Sequence, residues 1–93
     1  MELEAYIQTY INYEKNRMRR NPAASEKAQI WISTIEHAPR SIEALQSLMD
    51  AKEVAMNKAE DITEVQTLDR QWSALFWLQS AIHQVKSGRL REA

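Results

Sequence analysis

Glu60-Asp61-Ile62-Thr63-Glu64 is the stretch on which the fold turns. Apolar residues recur at helical spacing on both sides of it, yet no Gly or Pro within it enforces a break. Asp61 followed three residues later by Glu64 resembles a capping box, the arrangement that opens a new helix. The preferred reading is therefore a tight helix-helix turn near 59 to 62. The other reading is one uninterrupted helix of about 45 residues, about 68 Å long, which could not bury its own face and would require a dimer.

Upstream of this turn, Ile42, Leu45, Leu48, Met49, Ala55, Met56 and Ala59 keep to one face, with Val54 on the far side. Ser41 is a good N-cap for this helix, and the carboxylate of Glu43 suits its first turn. Pro39 disfavours helical backbone at Ala38 and closes the preceding helix near His37. That helix is expected to begin at Pro22 behind an Asn21 cap, with Ala24, Ala28, Trp31, Ile32 and Ile35 facing inward and Ile30 pointing nearly opposite. The first segment, about 2 to 20, places Leu3, Tyr6, Ile7, Tyr10, Ile11 and Tyr13 within roughly 160° of one face. Buried tyrosines need partners for their hydroxyls, so part of this stripe is expected at a rim or an interface.

Downstream of the turn, residues 62 to 87 form the longest helix, ending at Ser87-Gly88, where glycine can adopt the left-handed cap. Trp72-Ser73-Ala74-Leu75-Phe76-Trp77-Leu78 holds two of the three tryptophans and the sole phenylalanine. Val65, Leu68, Trp72, Leu75, Phe76 and Ile82 share a side, and Trp72, Leu75 and Phe76 are expected to hold the bundle together. Trp77 projects about 140° from the centre of that stripe. Either the last helix is central and covered from two sides, as Leu78 and Val85 at intermediate angles suggest, or Trp77 anchors a partner.

The fold expected is thus all-α: a small antiparallel bundle of three to four helices, about 2-20, 22-38, 42-59 and 62-87, in one domain spanning 1-93, with 88-93 a short basic tail. Composition agrees, since one Gly and two Pro in 93 residues leave too few turns for an all-β fold.

Chemistry is sparse. With no cysteine there is neither a disulfide framework nor a thiol nucleophile. The residues three before His37 and His83 are Thr34 and Ser80, so the Glu-x-x-His spacing of carboxylate-bridged metal bundles is missing. A single glycine cannot build a phosphate loop or a nucleophile elbow. No enzyme, metal or cofactor is expected. The acidic start Met1-Glu2-Leu3-Glu4 lacks a signal-peptide layout, and no apolar run is long enough to span a bilayer; a cytoplasmic protein without membrane contact is expected.

Charge is uneven despite a formal net of -1. Residues 41 to 69 carry seven acids against two lysines, and Lys15 to Arg20 holds four bases. The expected function is a small protein-binding module (an adaptor, a small chaperone or a proteinaceous inhibitor of the kind bacterial and phage genomes encode), acting by occupying a partner surface. Trp77, Ile30, Val54, Tyr6 and Tyr13 are its candidate protein-interface residues. The surplus of apolar positions over what one small bundle covers also points to a homodimer. The alternative is a nucleic-acid-associated regulator using Lys15, Arg17, Arg19, Arg20, Arg89 and Arg91 on phosphate. It is disfavoured because, in an up-down-up-down bundle, Glu60, Asp61 and Glu64 lie at the same end as the basic run and are expected to neutralise it.

Overall fold

Residues 2–87 are described by the computed structural model of the chain, and four α-helices account for most of them: α1 (Leu3–Arg20), α2 (Ser25–His37), α3 (Ile42–Lys58) and α4 (Ile62–Lys86). No strand occurs among the described residues, and α4 is the longest helix. The all-α bundle expected from the sequence is the fold. Its glycine cap at residue 88 and its basic tail lie outside the described residues.

Local chemistry sets the helix ends. Ser41 accepts a hydrogen bond from the Ala44 amide at 3.3 Å, and Asp61 accepts one from the Thr63 amide at 2.9 Å, so both helices downstream begin on side-chain caps. The Ala59 and Asp61 backbones are extended, which breaks the chain between α3 and α4 and overturns the single long rod. Ala38 is extended before Pro39, ending α2. One start differs from expectation. Pro22–Ala24 is a 3-10 turn closed by the Ala24 amide on the Asn21 carbonyl at 3.0 Å, Asn21 makes no side-chain cap, and α2 begins only at Ser25. The tighter turn uses proline's fixed φ to reverse the chain immediately after α1.

The arrangement is organised on the last helix. α4 packs against α1, α2 and α3, whereas the backbone of α3 runs alongside α4 alone. The buried face of α4 consists of Ala74, Leu75, Leu78, Gln79, Ala81 and Ile82. The expected face of Trp72, Leu75, Phe76 and Ile82 is thereby corrected by a rotation of roughly 75° at 100° per residue. Phe76 is 50% exposed and Trp72 only partly buried. Bulky aromatics drew the expected stripe toward themselves, but Ala74 and Ala81 mark where neighbouring backbones come close. Ile7 and Ile11 of α1, Ile32 and Ile35 of α2, and Leu45 and Met49 of α3 complete the core. The result is a slab, 46 × 34 × 17 Å.

Two polar side chains tie elements together. Gln79, buried, donates through Nε2 to the Ile42 carbonyl at 3.1 Å and to Gln46 Oε1 at 3.2 Å, fixing α4 against the start of α3. Arg40 donates through Nη1 to the carbonyls of Ile35 at 2.7 Å and Ala38 at 3.0 Å, and through Nε to Glu4 Oε2 at 3.0 Å. It thus caps the end of α2 and holds the beginning of α1 beside it. Arg40→Ala is expected to lower stability by about 1 to 3 kcal/mol, since it strips a charged donor from two carbonyls. Glu4→Gln, which loses only an exposed ion pair, is expected to cost under about 1 kcal/mol. Urea titration of both variants separates the two contributions, and equal losses would mean that the ion pair and not the carbonyl cap is what matters.

Candidate functional site: an aromatic cluster beside a basic cleft

Tyr6 and Tyr10 lie one turn apart on α1, a spacing that puts them on one side of the helix. Trp31 of α2 and Trp77 of α4 close on that side. Tyr6 stacks on Trp77 with ring centroids 5.6 Å apart and planes within 9°. Tyr10, Trp31 and Trp77 form a triangle with centroid separations of 5.0, 4.6 and 5.1 Å. Trp77 therefore stands between α1 and α2, as it does when the last helix is covered from two sides. Tyr13 meets Tyr10 at 6.0 Å but is itself 61% exposed. The Tyr10 hydroxyl is pushed above its ordinary pKa, first by burial and then by the Glu14 carboxylate, which keeps it a neutral donor.

Beyond Tyr10 and Trp31 the cluster opens into a cleft of about 460 Å³ lined by Glu14, Arg17, Lys27 and Arg70. Small side chains at Ala23, Ala24 and Ala28 leave the space that the cleft occupies. Glu14 is 8% exposed and its Oε1 lies 3.6 Å from Arg17 Nη1, so a nearly buried carboxylate orients one of three cations. The arrangement resembles an ordinary small-ligand site in size, yet its polar groups are mostly cationic. Arg17 also lines a neighbouring recess with Tyr13, Asn16 and Arg20. One exposed tyrosine and four cations thus share a continuous strip from the end of α1 across the start of α2 to Arg70 within α4.

The structure sorts the sequence candidates. Tyr13, Arg17 and Arg20 come together; Tyr6 and Trp77 support them from within the cluster. Lys15 and Arg19 are exposed on the same helix but line neither recess. Ile30, half-buried, faces a separate groove between α2 and α4. Val54 is exposed on α3, apart from the strip. Arg89 and Arg91 fall outside the described residues. The expected neutralisation of the basic run is corrected: among the described residues the ion pairs are Glu14–Arg17 and Glu4–Arg40, and none reaches Glu60, Asp61 or Glu64. α1 and α3 lie on different sides of α4, which keeps the two charge clusters apart.

Arg70 was the contributor that periodicity left unmarked. It stands seven residues before Trp77 and so shares its side of α4, and that spacing was the available signal. Among the described residues no three His, Asp or Glu side chains converge on a metal-sized point, and no helix is long and apolar enough to cross a membrane. No family model, curated protein or solved structure matches the chain. What the strip can bind must be read from its own chemistry: forked cations beside an exposed phenol, on a wall already packed in place.

Proposed function

We propose that the chain is a small non-enzymatic protein-binding module, an adaptor, small chaperone or inhibitor, that docks an acidic segment of a partner protein along the strip of Tyr13, Arg17, Arg20, Lys27 and Arg70. The observation that carries this reading is Tyr13, 61% exposed and set beside Arg17 and Arg20. Tyrosine and arginine dominate binding hot spots, and guanidinium groups pair bidentately with carboxylates. Because the cluster behind the strip is packed before any partner arrives, the ordering cost of binding falls mainly on the exposed Arg17, Arg20 and Lys27 side chains. A cytoplasmic setting belongs to this reading, in keeping with a chain that carries no cysteine.

A second reading rests on the same phenol. An exposed aromatic beside arginines is also a platform on which a single-stranded base stacks. The Glu14 carboxylate in the cleft repels phosphate and partner carboxylate alike, so titration with both ligands decides between the readings.

Titration with an Asp/Glu-rich peptide and with a single-stranded oligonucleotide distinguishes the two. The peptide is expected to bind, and Arg17→Glu with Arg20→Glu to weaken it about tenfold or more with helicity unchanged. Oligonucleotide binding that falls steeply with salt, together with an inert peptide, would transfer the strip to nucleic acid. If neither ligand binds, the strip is a solvated surface and the proposal fails.

A further inference from the structure

The cleft between α1, α2 and α4 holds one carboxylate that the bundle leaves underused. Glu14 lines it and is nearly buried, yet its one polar contact among the described residues is Arg17 Nη1 at 3.6 Å, too long for a hydrogen bond. A carboxylate accepts about four hydrogen bonds, and keeping its charge out of water is costly until donors meet it. Arg17 does not fill that role: its side chain is 57% exposed and also lines the neighbouring recess beside Tyr13. Lys27 and Arg70 stand around the same cleft, so three cations surround one anion.

We infer that the cleft takes the free N-terminus of a partner chain that begins with acidic residues, its α-ammonium on Glu14 and its carboxylates on Arg17, Lys27 and Arg70. The inference rests on the acidic-segment reading above and specifies which part of the segment enters. It also removes a conflict within that reading, because Glu14 repels an incoming carboxylate unless a positive group arrives with it. The signs match: one anion among three cations in the cleft, one cation among several anions on such a terminus. An internal lysine matches less well. Its ammonium stands on a flexible four-carbon stem, away from the carboxylates of its neighbours, whereas an N-terminal aspartate holds both charges within one residue.

The lining suits an ammonium. Tyr10, one turn before Glu14 on α1, and Trp31 give the cleft an aromatic wall, and aromatic rings attract a cation over their faces. Asn21 makes no side-chain cap and lines the same cleft, so its amide oxygen is available to a second ammonium hydrogen. The alanines at 23, 24 and 28 leave room for the entering residue.

Two peptides of one Asp/Glu-rich sequence, beginning with aspartate and differing only in N-terminal acetylation, test this by calorimetric titration. At about pH 6.5 the free α-amino group, with a pKa of about 7.7 to 8.0, is charged, and acetylation removes that charge. The free peptide is expected to bind the parent chain about tenfold more tightly than the acetylated one. Attraction to the basic strip alone gives the opposite order, since acetylation makes the peptide more negative. In Glu14→Gln the preference is expected to vanish with helicity unchanged. Equal affinity of the parent for the two peptides, or tighter binding of the acetylated one, overturns the inference and leaves the acidic-segment reading in place. A preference that persists in folded Glu14→Gln puts the ammonium elsewhere and overturns it too. If neither peptide binds, the acidic-segment reading falls and this inference with it. The peptide comparison needs only the parent chain, so it decides even where Glu14→Gln does not fold.

Discussion

Replacing Trp77 with alanine is expected to lower the folding free energy by about 3 to 5 kcal/mol, the range for removing a packed tryptophan. Domains of this size have about 5 to 15 kcal/mol in total, so the variant should be largely unfolded in mild urea. The geometry explains the size of the effect. The indole is the one ring that touches Tyr6, Tyr10 and Trp31 together, so its loss opens a void where α1, α2 and α4 meet. The adjacent residue provides the control. Phe76→Ala removes a half-exposed ring whose intrachain partner is Trp72, and a stacked pair of that kind is worth about 0.5 to 1.5 kcal/mol. Far-UV circular dichroism of both variants across a urea series checks the contrast. A Trp77→Ala protein within about 1 kcal/mol of the parent would show that the cluster does not hold α1 in place, and would return Trp77 to the surface role its helical angle first suggested.

Leu78→Ala is expected to cost about 2 to 5 kcal/mol. Leu78 is fully buried, one residue beyond Trp77, at the middle of the face that α4 turns to the core. Truncating it leaves a cavity that rigid helices on either side cannot close, and the melting temperature should fall by about 10 °C or more. Leu78→Met keeps the volume and should cost under about 1.5 kcal/mol. Calorimetry on the pair tests whether the lost volume is the cause. If methionine is as damaging as alanine, the site depends on the leucine's branched shape and not on being filled.

What the sequence disclosed depended on the range of the interaction. Helix ends were legible because their causes are local: Pro39 acts on Ala38, Ser41 on Ala44 and Asp61 on Thr63. The rotation of α4 was not, because a helix covered from two sides has no single apolar stripe, and its buried alanines carry little weight in a periodicity dominated by Trp72 and Phe76. The candidate site was half legible. Tyr13, Arg17 and Arg20 lie within two turns of one helix, and their shared face follows from spacing. Lys27 and Arg70 join them only through the packing of α2 and α4 on α1, and Arg40 reaches Glu4 across 36 residues of sequence. Glu14, a carboxylate next to the apolar stripe of α1, carries no sign of burial in the sequence; the structure buries it beside Arg17.

Because α4 follows in sequence the three helices that it packs against, chain order bears on the order of assembly. Synthesis delivers α1, α2 and α3 before the helix that each of them packs against, and α2 and α3 have no backbone approach to one another in the meantime. Before α4 joins them, α1 and α2 can already pair through Tyr10 and Trp31, whereas Leu45 of α3 has no helix to cover it. α3 and α4, adjacent in sequence and joined by a three-residue turn, can then close at once, and the pair of α1 and α2, itself formed across a short connection, docks on α4 over a longer loop. Completion of the core thus waits on residues 62–86, the one helix that all three others touch.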